Sequence, residues 1–195
     1  MRHSRSANMI AAAGSGFNKP APDGDPMETY VALGTNYGEL QQNLRTGLAG
    51  LGKLGLAPLE VSSVWETEPV GTSYPRWFLN MVVLVRTELA PLQLLDRLLE
   101  LESRSGRVRD QPNAPRTLDL DLLMMGDLRL EEPRLTLPHP RMWERRFVLE
   151  PLAEIAPGLR NPLTGRSVLE ECGRIRHRSQ VRKLGELAPA RDVLL

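Results

Sequence analysis

Cysteine is almost absent. Cys172 is the single one in 195 residues, so no intrachain disulfide can form and the chain suits a reducing compartment such as the cytoplasm. Histidine is scarce too, and one Cys with three His leaves too few ligands for a zinc site. Aromatic residues make up 5% of the chain, which counts against a stacking platform for nucleic acid. No apolar run approaches the ~20 residues that a membrane helix needs. Neither sign of charge dominates: 25 Lys and Arg against 24 Asp and Glu leave a net charge of +1. Any anion must therefore be held by a local cluster of arginines rather than by a global basic field. What remains, 41% hydrophobic and 25% charged residues, is ordinary for a single soluble domain with a substantial core.

Residues 1–28 stand apart. They hold no acid before Asp23 and are rich in Ala, Gly, Ser and Pro, which reads as a disordered extension. An organellar transit peptide has the same Arg- and Ser-rich, acid-poor character. The apolar patch MIAAAG is too short for a secretory signal, and GSGFNKP lacks the Gly-Lys-Ser/Thr ending of a phosphate-binding loop. The domain itself is expected over 29–172. The remainder, 173–195, carries Arg174, Arg176, Arg178, Arg182 and Lys183 and reads as a solvated basic tail or helix.

Within the domain, TYVALGTN (29–36) predicts a strand that ends in a glycine turn. Leu40, Leu44, Leu48 and Leu51 follow at helical spacing. Asn36 with Glu39 resembles a capping box, while Gly47, Gly50 and Gly52 weaken the helix. LEVSSVWETE (59–68) alternates as one strand, and Pro69, Gly71 and Pro75 mark a loop. FLNMVVLVRTE (78–88) is β-branched and apolar enough for a buried strand. Pro91 opens a second helix in which Leu92, Leu95 and Leu99 line one face beside Leu94, Leu98 and Leu101, and Gly106 stops it. An arginine-bearing loop (107–116) then leads into LDLDLLMM. The order is β-α-β-β-α-β, which fits an α+β ferredoxin-like antiparallel sheet with both helices on one face. Short C-terminal helices complete it.

The chemistry gathers around that last strand. Residues two apart in a strand share a face, so Asp119 and Asp121 project side by side. Two adjacent anions repel unless a cation intervenes. Either a divalent ion such as Mg²⁺ sits between them, or the strand is an edge whose face is solvated. Arg107, Arg109 and Arg116 precede the pair, and Arg134, His139, Arg141, Arg145 and Arg146 follow it. Guanidinium forks match phosphate oxygens, and Mg²⁺-binding carboxylates among arginines suit phosphoryl transfer. Two rivals remain open at this point: a Mg²⁺-dependent phosphohydrolase, and a ferredoxin-like nucleic-acid-binding module.

The ordered series ALGTN, SSVWETEPVG, FLNMVV, GRVR, PRTLDLDLL, LTLPHPRM and RRFVLEPLAEIAP resembles the 6-hydroxymethyl-7,8-dihydropterin pyrophosphokinases of folate biosynthesis, over about residues 29–160. The resemblance implies the same ferredoxin-like fold. It also implies transfer of diphosphate from ATP to the pterin's hydroxymethyl group, with two Mg²⁺ ions. Asp119 and Asp121 correspond to the metal ligands, with Asp121 also a candidate to help remove the hydroxyl proton. Arg107 and Arg116 correspond to arginines that act on phosphate during transfer. Glu102, Arg109, Leu122, Arg134, Thr136, His139 and Arg145 correspond to the ATP site, Leu122 and Thr136 through backbone contacts to adenine. Thr67, Val70, Phe78, Asn80 and Phe147 correspond to the pterin site, with the ring between Phe78 and Phe147. The partners implied are small molecules, with no nucleic acid or membrane, and the expected state is a monomer. The chain departs from the family pattern in four places. Asn113-Ala114 replaces Trp-Gly in a loop one residue shorter, Pro140 replaces an aromatic, Phe78 replaces tyrosine, and Glu68 replaces proline.

Overall fold

The computed structural model describes residues 25–69, 75–106, 114–175 and 179–188. Six strands form one antiparallel sheet. β1 (Met27–Thr35), β4 (Phe78–Thr87) and β5 (Asp119–Met125) lie at its centre and one edge, with β1 between β4 and β5. On the far side of β4 come β3 (Val64–Thr67) and β2 (Pro58–Val61), both paired to β4. The alternating stretch expected as one strand over 59–68 is thus two. The break falls at Ser62–Ser63, where the Ser62 hydroxyl accepts the Val82 N–H at 2.9 Å in place of a strand carbonyl.

Two helices cover one face. α1 (Leu40–Lys53) presents Leu44, Gly47 and Leu51, and α2 (Pro91–Arg104) presents Leu94 and Leu98, all buried. These meet Val31 and Leu33 of β1, Met81 and Val83 of β4 and Leu120 and Leu122 of β5 in one apolar cluster. Burying such side chains is the main favourable term in folding. α2 starts at Pro91, where a missing N–H costs nothing, and the Gln93 side chain accepts the Ala90 N–H at 3.2 Å. The expected capping box on α1 is absent: Glu39 is its N-cap and makes no side-chain cap bond. Asn36 is used elsewhere.

The opposite face is covered over part of its area. After a hairpin of β6 (Leu130–Glu132) and β7 (Leu135–Leu137) come α3 (Arg146–Ile155) and α4 (Val168–Ile175). Val148, Leu149 and Leu152 of α3 and Val168, Cys172 and Ile175 of α4 pack on Val82, Leu123 and Met124. β4 therefore has both faces covered, which explains its unbroken buried run from Leu79 to Val85. Residues 181–185, expected within a solvated tail, instead form β8 (Val181–Gly185), which pairs with β3 at the sheet edge. The Glu66 carboxylate and the Arg182 guanidinium pair across that junction.

Candidate active site

The other end of the second face carries a row of polar residues, with Thr67 and Asn80 buried in it. Gly34 is the register partner of Asn80 on β4 and of Asp119 on β5. Trp65 is the partner of Asn80, Thr67 of Phe78, and Asp121 of Ala32. Register partners share a face, so Asp119, Asp121, Asn80, Phe78 and Thr67 all project to the same side. Gly34 is flat ground between them. A Cβ there would stand 3.0 Å from Asn80 Oδ1 and 3.8 Å from the Asp119 Cβ. The Asn80 amide donates to Thr67 Oγ1 at 2.8 Å, which fixes its orientation.

Each aspartate has an arginine. The Arg116 guanidinium pairs with the Asp119 carboxylate, and Arg145 Nη1 lies 3.2 Å from Asp121 Oδ2. Asn36 holds Arg116 in place through its main chain: its Oδ1 accepts the Arg116 N–H at 2.7 Å, and its own N–H donates to the Arg116 carbonyl at 3.0 Å. The Asn36 signal was visible in ALGTN, but capping competed for it, and only the folded chain brings 36 and 116 together.

The outer edge of β5 organises the rest. Leu120 and Leu123 turn main-chain groups away from β1. Glu102, buried at the end of α2, accepts the Leu120 N–H at 2.7 Å. The His139 N–H donates to the Leu123 carbonyl at 2.8 Å. The pairing with β1 shifts register here, from Val31 opposite Leu122 to Tyr30 opposite Met124, which lets both Leu120 and Leu123 face outward. The result is a cavity of about 570 Å³. Glu102, Arg116, Asp119, Asp121, Leu122, Arg134, Thr136, His139 and Arg145 line it, with apolar Leu95 and Leu99. Arg134 pairs with Asp96 on its rim.

Burial is the main influence that lowers the His139 pKa below its ordinary value. Asp121 opposes it, and Arg145 and Arg141 reinforce it. His139 Nδ1 accepts the Arg141 N–H at 3.1 Å, so the neutral ring carries its proton on Nε2, available to an anion. Burial likewise lowers the Arg145 pKa and Asp121 works against it; the guanidinium stays charged. Arg145 also lies over the Phe147 ring, 5.4 Å from its centroid. That contact ties the cationic end of the site to the aromatic end. Of the residues expected here, Arg107, Arg109 and Val70 lie outside the described residues. Phe78, Asn80, Thr67 and Phe147 do not line the cavity but flank it along the sheet row and α3.

Residues 30–157 match the family model of 7,8-dihydro-6-hydroxymethylpterin-pyrophosphokinase. The chain belongs to this family. It is 40% identical over 147 residues to the 2-amino-4-hydroxy-6-hydroxymethyldihydropteridine pyrophosphokinase of Bacillus subtilis, covering 75% of this chain and 88% of that one. To the enzyme of the same name from Pseudomonas aeruginosa it is 45% identical over 134 residues, covering 68% and 83%. Among solved structures, a Plasmodium falciparum HPPK-DHPS crystal structure with pteroate superposes with a TM-score of 0.63 at 13% identity. That match covers 76% of this chain and 44% of the longer Plasmodium protein, and shows the fold alone. As a member of the family the chain is a diphosphokinase of folate biosynthesis. Among the described residues no helix is long and apolar enough to cross a membrane.

Proposed function

We propose that this pyrophosphokinase binds ATP in the cavity on the outer edge of β5, and the reduced pterin on the sheet row beside it. The sheet is read as a ferredoxin-like βαββαβ core, supported by the order β5-β1-β4-β3 with α1 and α2 on one face. The observation that carries the site is the row Asp119–Gly34–Asn80. Two strand spacings put a cation-binding carboxylate and a pterin-orienting amide about 10 Å apart on one flat surface. A flat bicyclic ring fits between Phe78 and Phe147, with Asn80 and the Thr67 main chain at its edge; Val70 is assigned to the pterin by the family resemblance alone.

The hydroxymethyl oxygen of the pterin attacks the β-phosphorus of ATP. The bond from that phosphorus to the α-bridging oxygen breaks, AMP leaves, and the pterin carries the diphosphate. The hydroxyl proton passes to Asp121 or to water. Arg116 and Arg145 hold negative charge that builds on the phosphates, and His139 Nε2–H adds a neutral donor. Arg134 extends this cationic lining, Arg107 and Arg109 are assigned to the phosphates by the family resemblance alone, and Glu102 holds the edge that accepts adenine at Leu122 and Thr136. Asp119 and Asp121 suit Mg²⁺, which takes one or two carboxylates and completes its shell with phosphates and water. When bound, the ions screen the triphosphate charge. Placement in the cytoplasm agrees with the single cysteine.

The test is Asp119→Ala and Asp121→Ala, assayed for AMP with ATP, Mg²⁺ and the reduced pterin. Turnover is expected to fall at least ~10²-fold, the scale for losing one charge-stabilising group, while pterin affinity changes little. Near wild-type turnover in either variant rejects the metal assignment. ADP or free phosphate in place of AMP rejects the transfer itself.

A further inference from the structure

The face of α3 that looks toward β3 carries Phe147, Glu150 and Glu154 at helical spacing. Glu154 is where three other segments converge. Its Oε2 accepts the Ser63 N–H at 2.7 Å, from the turn between β2 and β3. Its Oε1 accepts the Trp65 indole N–H at 3.1 Å and lies 2.7 Å from Lys183 Nζ on β8. Trp65 is the register partner of Asn80 and stands beside it on the same face. At the other end of the helix, Arg146 donates to the Ser179 carbonyl at 2.5 Å, just before β8. Arg146 is itself held by Glu150 at 2.7 Å. Between these ties, the Glu68 N–H donates to the Gln180 carbonyl at 3.1 Å, and the Gln180 N–H returns to Glu68 Oε1 at 2.8 Å. β8 thus joins α3, which carries Phe147, to the end of β3, which carries Thr67. None of the groups involved lines the nucleotide cavity.

We propose that Glu154 is a positioning residue for the pterin. By locking α3 to β3 and β8, it sets the gap between Phe147 and the Phe78–Asn80 surface. Reach supports this. Glu154 is two helical turns from Phe147 on the same face, about 10 Å along the axis, so a shift of the helix at Glu154 is transmitted to the ring. The strand β8 then acts as the outer brace of the slot, although it lies beyond the segment that matches the family model. This inference rests on the reading of Phe78, Asn80 and Phe147 as the pterin side.

The experiment compares Glu154→Gln, Lys183→Gln and Asn80→Ala. Pterin dissociation constants are measured without ATP, and KM for each substrate in turnover. Glu154→Gln keeps the shape of the side chain but loses the charge that three donors share. It is expected to raise the pterin dissociation constant and KM about tenfold, the range for a displaced positioning group. The KM for ATP and kcat should stay within about twofold, because nothing on the β5 edge touches Glu154. Lys183→Gln, at a half-exposed site, should shift the pterin values the same way by about threefold. If Glu154→Gln fails to fold, Lys183→Gln alone decides, and an unchanged pterin KM there overturns the proposal. Equal rises in the ATP and pterin KM would show a merely structural role and also overturn it. Weak pterin binding in Asn80→Ala beside normal binding in Glu154→Gln overturns the positioning role and leaves the site reading standing. Normal pterin binding in Asn80→Ala removes the site reading, and the proposal with it.

Discussion

A methyl group on Gly34 would stand 3.0 Å from Asn80 Oδ1, closer than such atoms settle without one of them moving. Asn80 cannot yield freely, since its amide is hydrogen-bonded to Thr67 at 2.8 Å and its neighbour Trp65 is held by Glu154. Gly34→Ala should therefore leave the fold intact, because alanine suits a strand backbone at least as well as glycine. It should nonetheless weaken pterin binding roughly tenfold through a displacement of a few tenths of an ångström. Titration of the reduced pterin against the variant checks this; unchanged affinity would mean the ring does not rest on this row. The glycine of ALGTN was readable only as a turn in the sequence. Its use as flat ground depends on which residues the register places on either side, and a linear reading does not reveal that. The aspartates were readable because two acids inside an apolar strand demand a partner, and each has one in Arg116 or Arg145.

The helices divide in the same way. α1 and α2 were legible from leucine spacing, since one face buries Leu44 and Leu51 and the other helix buries Leu94 and Leu98. The three glycines of α1 do not act alike. A Cβ on Gly50 would fall 2.4 Å from Leu101 Cδ1 of α2, whereas Gly52 has nothing within 4 Å. Gly50 lets the two helices approach closely, and Gly52 is only a helix penalty. Gly50→Ala should destabilise by about 1–2 kcal/mol, as overpacking outweighs the gain in helix propensity of about 1 kcal/mol. Gly52→Ala should stabilise by roughly 0.4–1 kcal/mol. Urea unfolding of both variants measures the difference, and equal midpoints would mean that α1 and α2 are not in contact at Gly50. α3 was harder to read because Pro151 sits inside it and removes one helical hydrogen bond. β8 was missed because its cue is a pairing over a long stretch of chain. Arg182 and Lys183 look like a solvated basic cluster until Glu66 and Glu154 are folded against them.

Taken together, the described residues give the sheet one face packed against α1 and α2 and another packed, over part of its area, against α3 and α4. Beyond those helices β1, β3, β4 and β5 place their polar residues side by side, and this row is the surface proposed above for the substrates. The seal on that second face depends on charge as well as on apolar packing, and this gives it a pH dependence. Burial tends to raise the Glu154 carboxyl, but hydrogen bonds from Lys183 and Ser63 outweigh it and hold the group below its ordinary value of 4.5. The folded state then binds fewer protons than the unfolded chain between the lowered value and 4.5. The stability that Glu154 supplies is complete above that window and is lost as pH falls through it. Thermal midpoints of the wild type and Glu154→Gln, compared from about pH 6 to pH 3, should be separated at the neutral end and converge at the acid end. Other titrating groups, His139 included, are common to both proteins and cancel in the difference. Parallel curves would show that the Glu154 carboxylate is not what draws β8 and β3 onto α3, and the polar end of the sheet would need a different brace.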